Sequence, residues 1–299
     1  MSWLFIALGE PLFHSLANLI DSYLSNHRFQ GTWIMIFWAR LFAVLFLPLT
    51  FLLGLPRLIP FQLWPIVIII SLIEAIYLYP YYQALRAADT SAAVALFDLG
   101  KLLIPLLAFF VVKERLAPAQ YLGFILILAS SIFLSLHRGL TARWRLNRAF
   151  WYMALVSILL SVEVVLYKYL FQSVSWSTGF AATTIGSFIV ATILFAATQA
   201  RRPKAHRELL NLQGNARLFV AAELVNFLGS GASTLAITLA PVTLVSAVGS
   251  IQPLFVLLFA VLFQKRFTLV FKEKTTPAAV IKKMVLFVAL LIGVGLIML

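Results

Sequence analysis

Cysteine is absent from the 299 residues of the chain, which excludes disulfide bonds, cysteine-ligated metals and thiol nucleophiles. Histidine is scarce, with four residues, and neither a His-Glu-x-x-His nor a Gly-x-Ser-x-Gly pattern occurs. Metal-dependent and serine hydrolases need such clustered groups. The sequence therefore predicts no catalytic residues, no metal ligands and no cofactor, and an enzyme is a weak alternative.

Charged residues are also few, at 11% of the chain, whereas a soluble domain carries roughly 25%. Hydrophobic residues make up 63%, and the mean hydropathy is +1.01. The apolar residues lie in runs close to the ~20 residues that cross a bilayer as a helix. Since lipid admits only helices or closed barrels, the composition predicts an all-α, multi-pass membrane protein.

Ten apolar runs can be counted, and each is predicted to be one transmembrane helix. The first begins directly after Met1, without a basic n-region or a cleavage site, so a retained helix is expected rather than a signal peptide. In chain order, spans 1 to 10 are 2–24, 31–54, 62–85, 90–112, 118–137, 149–173, 178–200, 217–239, 242–264 and 279–299.

The net charge of +13 comes mainly from Lys and Arg in the short segments between apolar runs. That placement is typical of orientation signals and differs from the continuous basic surface of a nucleic-acid-binding protein. The segments after odd-numbered spans are the basic ones, while those after even-numbered spans hold only Arg57, Lys113 and Arg115. The charge distribution therefore predicts cytoplasmic odd-numbered loops and both termini outside.

The chain repeats itself weakly, in the same order. SLANLIDSYL (15–24) resembles SVEVVLYKYL (161–170), and ALRAADTSAAVALFDLGKLL (84–103) aligns with AITLAPVTLVSAVGSIQPLF (236–255). The first match pairs span 1 with span 6, and the second pairs span 4 with span 9.

Two five-helix halves follow from this match, residues 1–140 and residues 141–299. Five is an odd number, so the second half is expected to enter the membrane in the opposite sense. Inverted repeats of this kind are typical of secondary transporters, whose substrate site lies near the bilayer midplane between the halves.

The chain also resembles a known family. Residues 81–136 are similar to the second part of an EamA-type repeat, and NLIDSYL (18–24) is similar to the end of a family first helix. The resemblance implies the drug/metabolite transporter superfamily, a ten-helix transporter fold and two EamA-like repeats. It rests on the alanines at 84, 87 and 88, the turn Glu114-Arg115-Leu116, Pro118 and Gly123.

Two positions depart from the family pattern. Lys101 stands where the family often has proline, as the second half does at Pro253. The second half also carries 265–267 (Lys-Arg-Phe) in place of the Glu-Arg-Leu turn, which favours a topological role for that turn. The resemblance implies both termini inside, against the charge distribution, and that conflict stays open. The expected location is a bacterial inner membrane, as an integral multi-pass protein.

Ionisable residues occur deep inside the spans, where a charge costs ~2.5–3.5 kcal/mol even on the lenient insertion scale. Such residues should face a cavity or each other, and they mark paths for substrate or protons. The deep acids are Glu10, Glu74, Asp98, Glu163 and Glu223, and the deep bases are Arg40 and Lys101. The acidic excess favours a cation, a zwitterion or a proton as the transported species.

Asp98 and Lys101 lie three positions apart on span 4, so they share a helix face and can partly neutralise each other. We expect both to line the cavity and to meet a polar or zwitterionic ligand. The alternative is a purely structural pair that lowers its own insertion cost. Pro253 at the matching position of the second half favours the ligand-binding role, because the scaffold alone does not demand a lysine.

Span 3 carries Glu74, Tyr77 and Tyr81 on one stripe, and a carboxylate beside tyrosine faces suits an organic cation. The alternative for Tyr81 and Tyr82, near the helix end, is the interfacial aromatic belt. Glu163, with Tyr167 one turn later on span 6, is the corresponding group of the second half.

The remaining candidates are a proton site and a deep arginine. Glu10 and His14 lie at i and i+4 on span 1, with Pro11 between them, and imidazole titrates near neutrality. They are predicted to couple transport to protons, with a buried polar contact as the alternative. Arg40 is expected to partner a carboxylate or to bind a substrate anion. Asp21 and Lys168 lie nearer the helix ends and are expected at the interface.

These observations predict a secondary transporter that moves a small cationic or zwitterionic metabolite by alternating access, coupled to protons or by exchange. Its partners would be the small-molecule substrate and the bilayer, as a monomer or homodimer. A lipid flippase on the same fold is the main alternative, and a channel would need a filter or charge ring that does not show. The predicted substrate-binding residues are Arg40, Glu74, Tyr77, Asp98, Lys101, Glu163 and Tyr167.

Overall fold

The computed structural model describes residues 2–27, 31–87, 96–98, 100–139, 148–199, 216–262 and 277–299. In these residues every regular element is helical and no strand occurs, so the predicted all-α membrane fold is confirmed. The α-helices are α1 (Ser2–Ala7), α2 (Gly9–His27), α3 (Thr32–Phe46), α4 (Trp64–Ile76), α5 (Leu78–Ala87), α6 (Ile104–Val111), α7 (Pro118–Gly139), α8 (Arg148–Phe171), α9 (Trp176–Gln199), α10 (Ala216–Leu239), α11 (Val242–Gly249), α12 (Gln252–Leu262) and α13 (Pro277–Ile297).

Part of each predicted span is helical in the described residues. Two short 3₁₀ helices, Leu47–Leu53 and Phe61–Leu63, flank the second connection. Within predicted span 4 (90–112), the described residues 96–98 and 100–101 are helical, and residues 90–95 lie outside the described part of the chain. Among the described residues, six helical stretches are long and apolar enough to cross a membrane, and the count of ten stays a prediction. The six are Ser2–Asn26, Thr32–Leu53, Phe61–Ala87, Arg148–Phe171, Trp176–Thr198 and Ala216–Leu239.

In the part of the chain that the structure describes, four spans are interrupted ahead of a proline. Proline at position i removes the hydrogen bond to the carbonyl of residue i−4 and crowds it. α1 ends at Ala7, four residues before Pro11, and α4 ends at Ile76, four residues before Pro80. The helical stretch of span 4 ends at residue 101, four before Pro105, and α11 ends four before Pro253.

The helices pack mainly across the two predicted halves. Spans 1 and 8 are in contact, and the matching spans of the other half, 6 and 3, are in contact too. In the same way, the contact between spans 1 and 9 matches the contact between spans 6 and 4. The contact between spans 3 and 7 matches the contact between spans 8 and 2. Spans 2 and 7 are matching spans that contact each other, and so are spans 5 and 10. This exchange is the packing that two related halves would produce. The division of the chain at residue 140 stays a prediction.

Polar and small residues face the inside of the bundle. On α4, Ile68, Leu72 and Ile76 form an exposed stripe, whereas Ser71 and Glu74 are buried. Because the bilayer is itself apolar, close contact between helices depends on small residues. A Cβ atom at Gly186 of α9 would lie 2.2 Å from the Ser71 hydroxyl. The small residues therefore bring the polar faces of the helices together around an interior space.

Candidate functional site

A cavity of about 180 Å³ lies between the helices. An engineered cavity of roughly 150 Å³ is known to hold benzene, so the space suits a molecule of that order of size. Spans 1, 2, 3, 4, 6, 7, 8 and 9 contribute to its wall. Eight of the predicted site residues line it: Glu10, His14, Arg40, Glu74, Tyr77, Lys101, Glu163 and Tyr167.

Arg40 of α3 binds α4 rather than lying free in the cavity. Its Nη2 donates to the backbone carbonyl of Glu74 at 2.5 Å, and its Nη1 lies 3.5 Å from Glu74 Oε2. The guanidinium is also 5.9 Å from the centre of the Tyr77 ring. The charge of Arg40 is thus paired inside the protein, which corresponds to the first of the two expected roles.

Tyr167 of α8 holds the other oxygen of the same carboxylate. Its hydroxyl donates to Glu74 Oε1 and lies 2.7 Å from the Thr183 hydroxyl of α9. Glu163 lies one turn earlier on α8 and lines the cavity. Its Oε2 is buried without a hydrogen-bond partner in the described part of the chain.

Glu10 and His14 of α2 contact serines of α10. Ser233 donates its hydroxyl proton to Glu10 Oε2 at 2.6 Å, and Ser230 Oγ lies 3.3 Å from His14 Nε2. A Cβ atom added at Gly249 would lie 2.6 Å from Glu10 Oε1. The absence of a side chain at that position of α11 is therefore what leaves room for the Glu10 carboxylate.

Asp98 and Lys101 form an ion pair of 3.1 Å, as the spacing predicts. Lys101 lines the cavity, but Asp98 does not, and only 2% of Asp98 is exposed. The expectation that both line the cavity is therefore wrong for Asp98. Lys101 therefore lies at the cavity surface, and Asp98 pairs with it from a buried position behind that surface.

Tyr81, Asn18 and Asp21 form a further polar group of the cavity wall. The Tyr81 hydroxyl donates to Asn18 Oδ1 at 2.8 Å and lies 3.4 Å from Asp21 Oδ2. Tyr81 and Tyr82 are 3% and 1% exposed, so neither belongs to an interfacial belt. Asp21 is buried too and lines the cavity, while its expected position near the membrane interface stays a prediction. A signal was available: Glu10, His14, Asn18 and Asp21 follow helical spacing on one face.

Two charged side chains outside the cavity bind the ends of helices. Glu114, in the Glu-Arg-Leu turn, accepts hydrogen bonds from the backbone N–H of Val242 at 2.7 Å and of Thr243 at 3.1 Å. It thereby caps α11, where a negative charge is favourable. Lys168 donates to the carbonyls of Ile237 and Ala240 at 2.7 and 2.9 Å, at the end of α10. The turn therefore contacts a helix of the other predicted half, a role that the sequence did not indicate.

The donors of the site are carboxylate, hydroxyl, amide and basic groups. No group of three His, Asp or Glu is placed to hold a metal ion within the described ranges. The arrangement can bind a polar ligand and exchange protons.

Comparison with known proteins gives a family match for part of the chain. Residues 1–136 match the model described as "EamA-like transporter family", and no curated protein matches the chain. One solved structure, described only as "Crystal structure of protein", is similar in fold: the TM-score is 0.63 at 17% identity, with 99% of this chain and 98% of that chain covered. The apolar helices and this domain make the chain an integral, multi-pass membrane protein. Residues 1–136 are therefore similar to the EamA-like transporter family, which is part of the drug/metabolite transporter superfamily.

Proposed function

We propose that the chain is a secondary transporter for a small cationic or zwitterionic metabolite, which binds in the cavity between the halves. The observation that carries this proposal is the charge balance of the cavity wall. The arginine and the lysine of the wall both have acidic partners: Arg40 lies beside Glu74, and Lys101 lies beside Asp98.

Three acids of the wall have no basic partner within 4 Å among the described residues. They are Glu10, Asp21 and Glu163. Burying a charge without compensation is costly, and proteins pair or neutralise such groups. The compensating positive charge therefore comes from a bound cation or from protons. A substrate that is only anionic would add to the imbalance.

The interruptions of the spans support transport by alternating access. Discontinuous helices near the midplane surround the substrate site in many secondary transporters. Here the stretches beside the interruptions supply wall residues such as Glu10, Tyr77, Lys101 and Gln252. Glu10 and His14 are our candidates for proton coupling, and exchange of one substrate for another is the alternative.

The test begins with thermal melting of the detergent-purified chain against metabolites grouped as cations, zwitterions and anions. Ligands that bind only the folded state raise the melting temperature by mass action. We expect amines or zwitterions to stabilise the chain and the effect to disappear in Glu74→Gln. Stabilisation by anions alone, lost in Arg40 or Lys101 variants, would overturn the proposal.

Uptake of each stabilising compound into proteoliposomes then separates the candidate functions. Saturable uptake of a water-soluble compound is expected. Movement of labelled lipid between leaflets, without such uptake, would support the lipid flippase instead. Uptake that is accelerated by an imposed proton gradient and loses this acceleration in Glu10→Gln would assign the coupling.

A further inference from the structure

Three polar atoms around Arg40 are buried and have no hydrogen-bond partner among the described residues. Two are acceptors, Glu74 Oε2 and Glu163 Oε2, and the third is the donor Arg40 Nε. Buried polar groups in folded proteins are nearly always bonded, so each exception calls for an explanation. All three residues line the same cavity, and Glu74 is only 7% exposed.

Two of the protein's own donors near this group are already engaged. The Tyr167 hydroxyl donates a hydrogen bond to Glu74 Oε1, and Arg40 Nη2 donates one to the backbone carbonyl of Glu74. Arg40 Nη1 stays 3.5 Å from Glu74 Oε2, which is too long for a good hydrogen bond. α4 and α8 are in contact, and Glu74 and Glu163 line the same cavity. Two acceptor oxygens on facing helices therefore await a donor.

The tyrosine faces are less available than the oxygens. Arg40 lies over Tyr77 at 5.9 Å, and the Tyr167 ring stacks on Phe171 with centroids 5.4 Å apart. The Tyr81 ring lies against Tyr82 and Phe97, at 5.2 and 5.7 Å. A cation recognised through aromatic faces needs several open rings around it, and each of these rings has a protein neighbour.

We infer that the substrate carries a primary ammonium group, which donates hydrogen bonds to Glu163 Oε2 and Glu74 Oε2. The inference rests on the proposed function and names its substrate class. A primary ammonium has three N–H donors, and its hydrogen bonds to carboxylates are of the strong, charge-assisted kind. A quaternary ammonium has no N–H and would leave both acceptors unbonded, which is costly. Arg40, Glu74 and Glu163 carry a net charge of −1 when all three are ionised, so one bound ammonium group makes the cluster neutral.

Arg40 Nε narrows the substrate class further, because it is a buried donor that has no acceptor among the described residues. An oxygen acceptor on the substrate, close to the ammonium group, would bond it. The substrate class is therefore a small primary amine that also carries a hydroxyl, carbonyl or carboxylate oxygen.

The experiment compares two isomeric cations, protonated 2-aminopentan-1-ol and choline, which have the same atoms and charge and a hydroxyl two carbons from the nitrogen, and which differ in the N–H donors. Melting of the full detergent-purified chain is measured with each, in the wild type, in Glu163→Gln and in Glu223→Gln. Glu223 is a buried acid of α10 that does not line the cavity, so it is the matched control. We expect the amine to raise the melting temperature of the wild type and of the control more than choline does. Glu163→Gln should weaken binding of the amine about tenfold or more, because it removes a charge-assisted hydrogen bond.

Folding of Glu163→Gln is checked by its own melting curve and by gel filtration. Glu163→Asp keeps the charge but withdraws the oxygen by one methylene group, so a smaller shift with the amine should remain. Equal stabilisation by choline, or an amine shift that persists in Glu163→Gln, overturns the inference while the cationic cavity stands. No shift with either cation also contradicts it. Stabilisation by anions alone overturns the inference and the proposed function together.

Discussion

Glu114 offers a direct test of how the two halves are joined. α11 comprises eight residues, all of them buried, and the residue before it is Pro241, which supplies no side-chain cap. The Glu114 carboxylate, from the other half of the chain, bonds its first two backbone N–H groups at 2.7 and 3.1 Å. Glu114→Ala leaves both donors without this partner.

The magnitude follows from the two bonds. Losing a helix cap costs about 1 kcal/mol, and hydrogen bonds to charged groups contribute about 1.5–3 kcal/mol. Glu114 is partly exposed, so water replaces some of this interaction, and we expect a loss of about 2–3 kcal/mol. That corresponds to a roughly 30- to 150-fold change in the unfolding equilibrium constant, at 1.4 kcal/mol for each factor of ten.

The assay is unfolding of the detergent-purified chain by heat and by denaturant. Glu114→Gln keeps one acceptor oxygen and should lose about 1 kcal/mol, because the charge at the helix end contributes about 0.3–1 kcal/mol. Arg115→Ala is the control, since Arg115 lies over the Phe109 ring at 5.8 Å and an exposed contact of that kind contributes about 0.5–1 kcal/mol. Wild-type stability in Glu114→Ala would refute the reasoning.

Three further predictions concern close contacts. Gly249→Ala places a Cβ 2.6 Å from the Glu10 carboxylate, so the proton dependence of uptake should be lost and should partly return in the double variant with Glu10→Asp; unchanged uptake in Gly249→Ala would contradict this. Gly100→Ala places a Cβ 2.1 Å from a backbone carbonyl oxygen of α8 and should cost about 1–3 kcal/mol or more in melting experiments, whereas Gly295→Ala, with nothing within 4 Å, should be neutral; equal melting of the two would be the contrary result. Asp98→Asn removes the partner of a largely buried lysine, 3.1 Å away, and should lower stability by up to about 3–5 kcal/mol; wild-type melting would show the pair to be energetically unimportant.

The helical fold was predictable because apolar runs of spanning length have few other structures open to them in lipid. The interruptions were also within reach of the sequence, since Pro11 and Pro80 mark positions where an intrahelical hydrogen bond is missing. The packing of spans 1 and 8 was not predictable, because it depends on which polar faces meet across distant parts of the chain.

The cavity residues were predictable to the extent that deep charges must avoid lipid. The spacing of Asp98 and Lys101 predicted their pairing, but spacing on one face does not say which side chain reaches the cavity. Asp21 was not predicted to line the cavity because span 1 was ended at residue 24, whereas α2 continues to His27. The contact between Glu114 and α11 joins residues far apart in sequence, and local pattern carries no signal for it.

The exchange of contacts between the halves has a consequence for biosynthesis. α2 directs Glu10, His14, Asn18 and Asp21 toward the cavity that α10 helps to close, and α10 is synthesised long after α2 has entered the membrane. Until then, each of these groups must be protected by water, by the insertion machinery or by neighbouring helices of its own half, because a charge facing lipid costs ~2.5–3.5 kcal/mol. The predicted first half therefore enters the membrane before its polar side chains have their final neighbours. Those neighbours come from helices that are synthesised later.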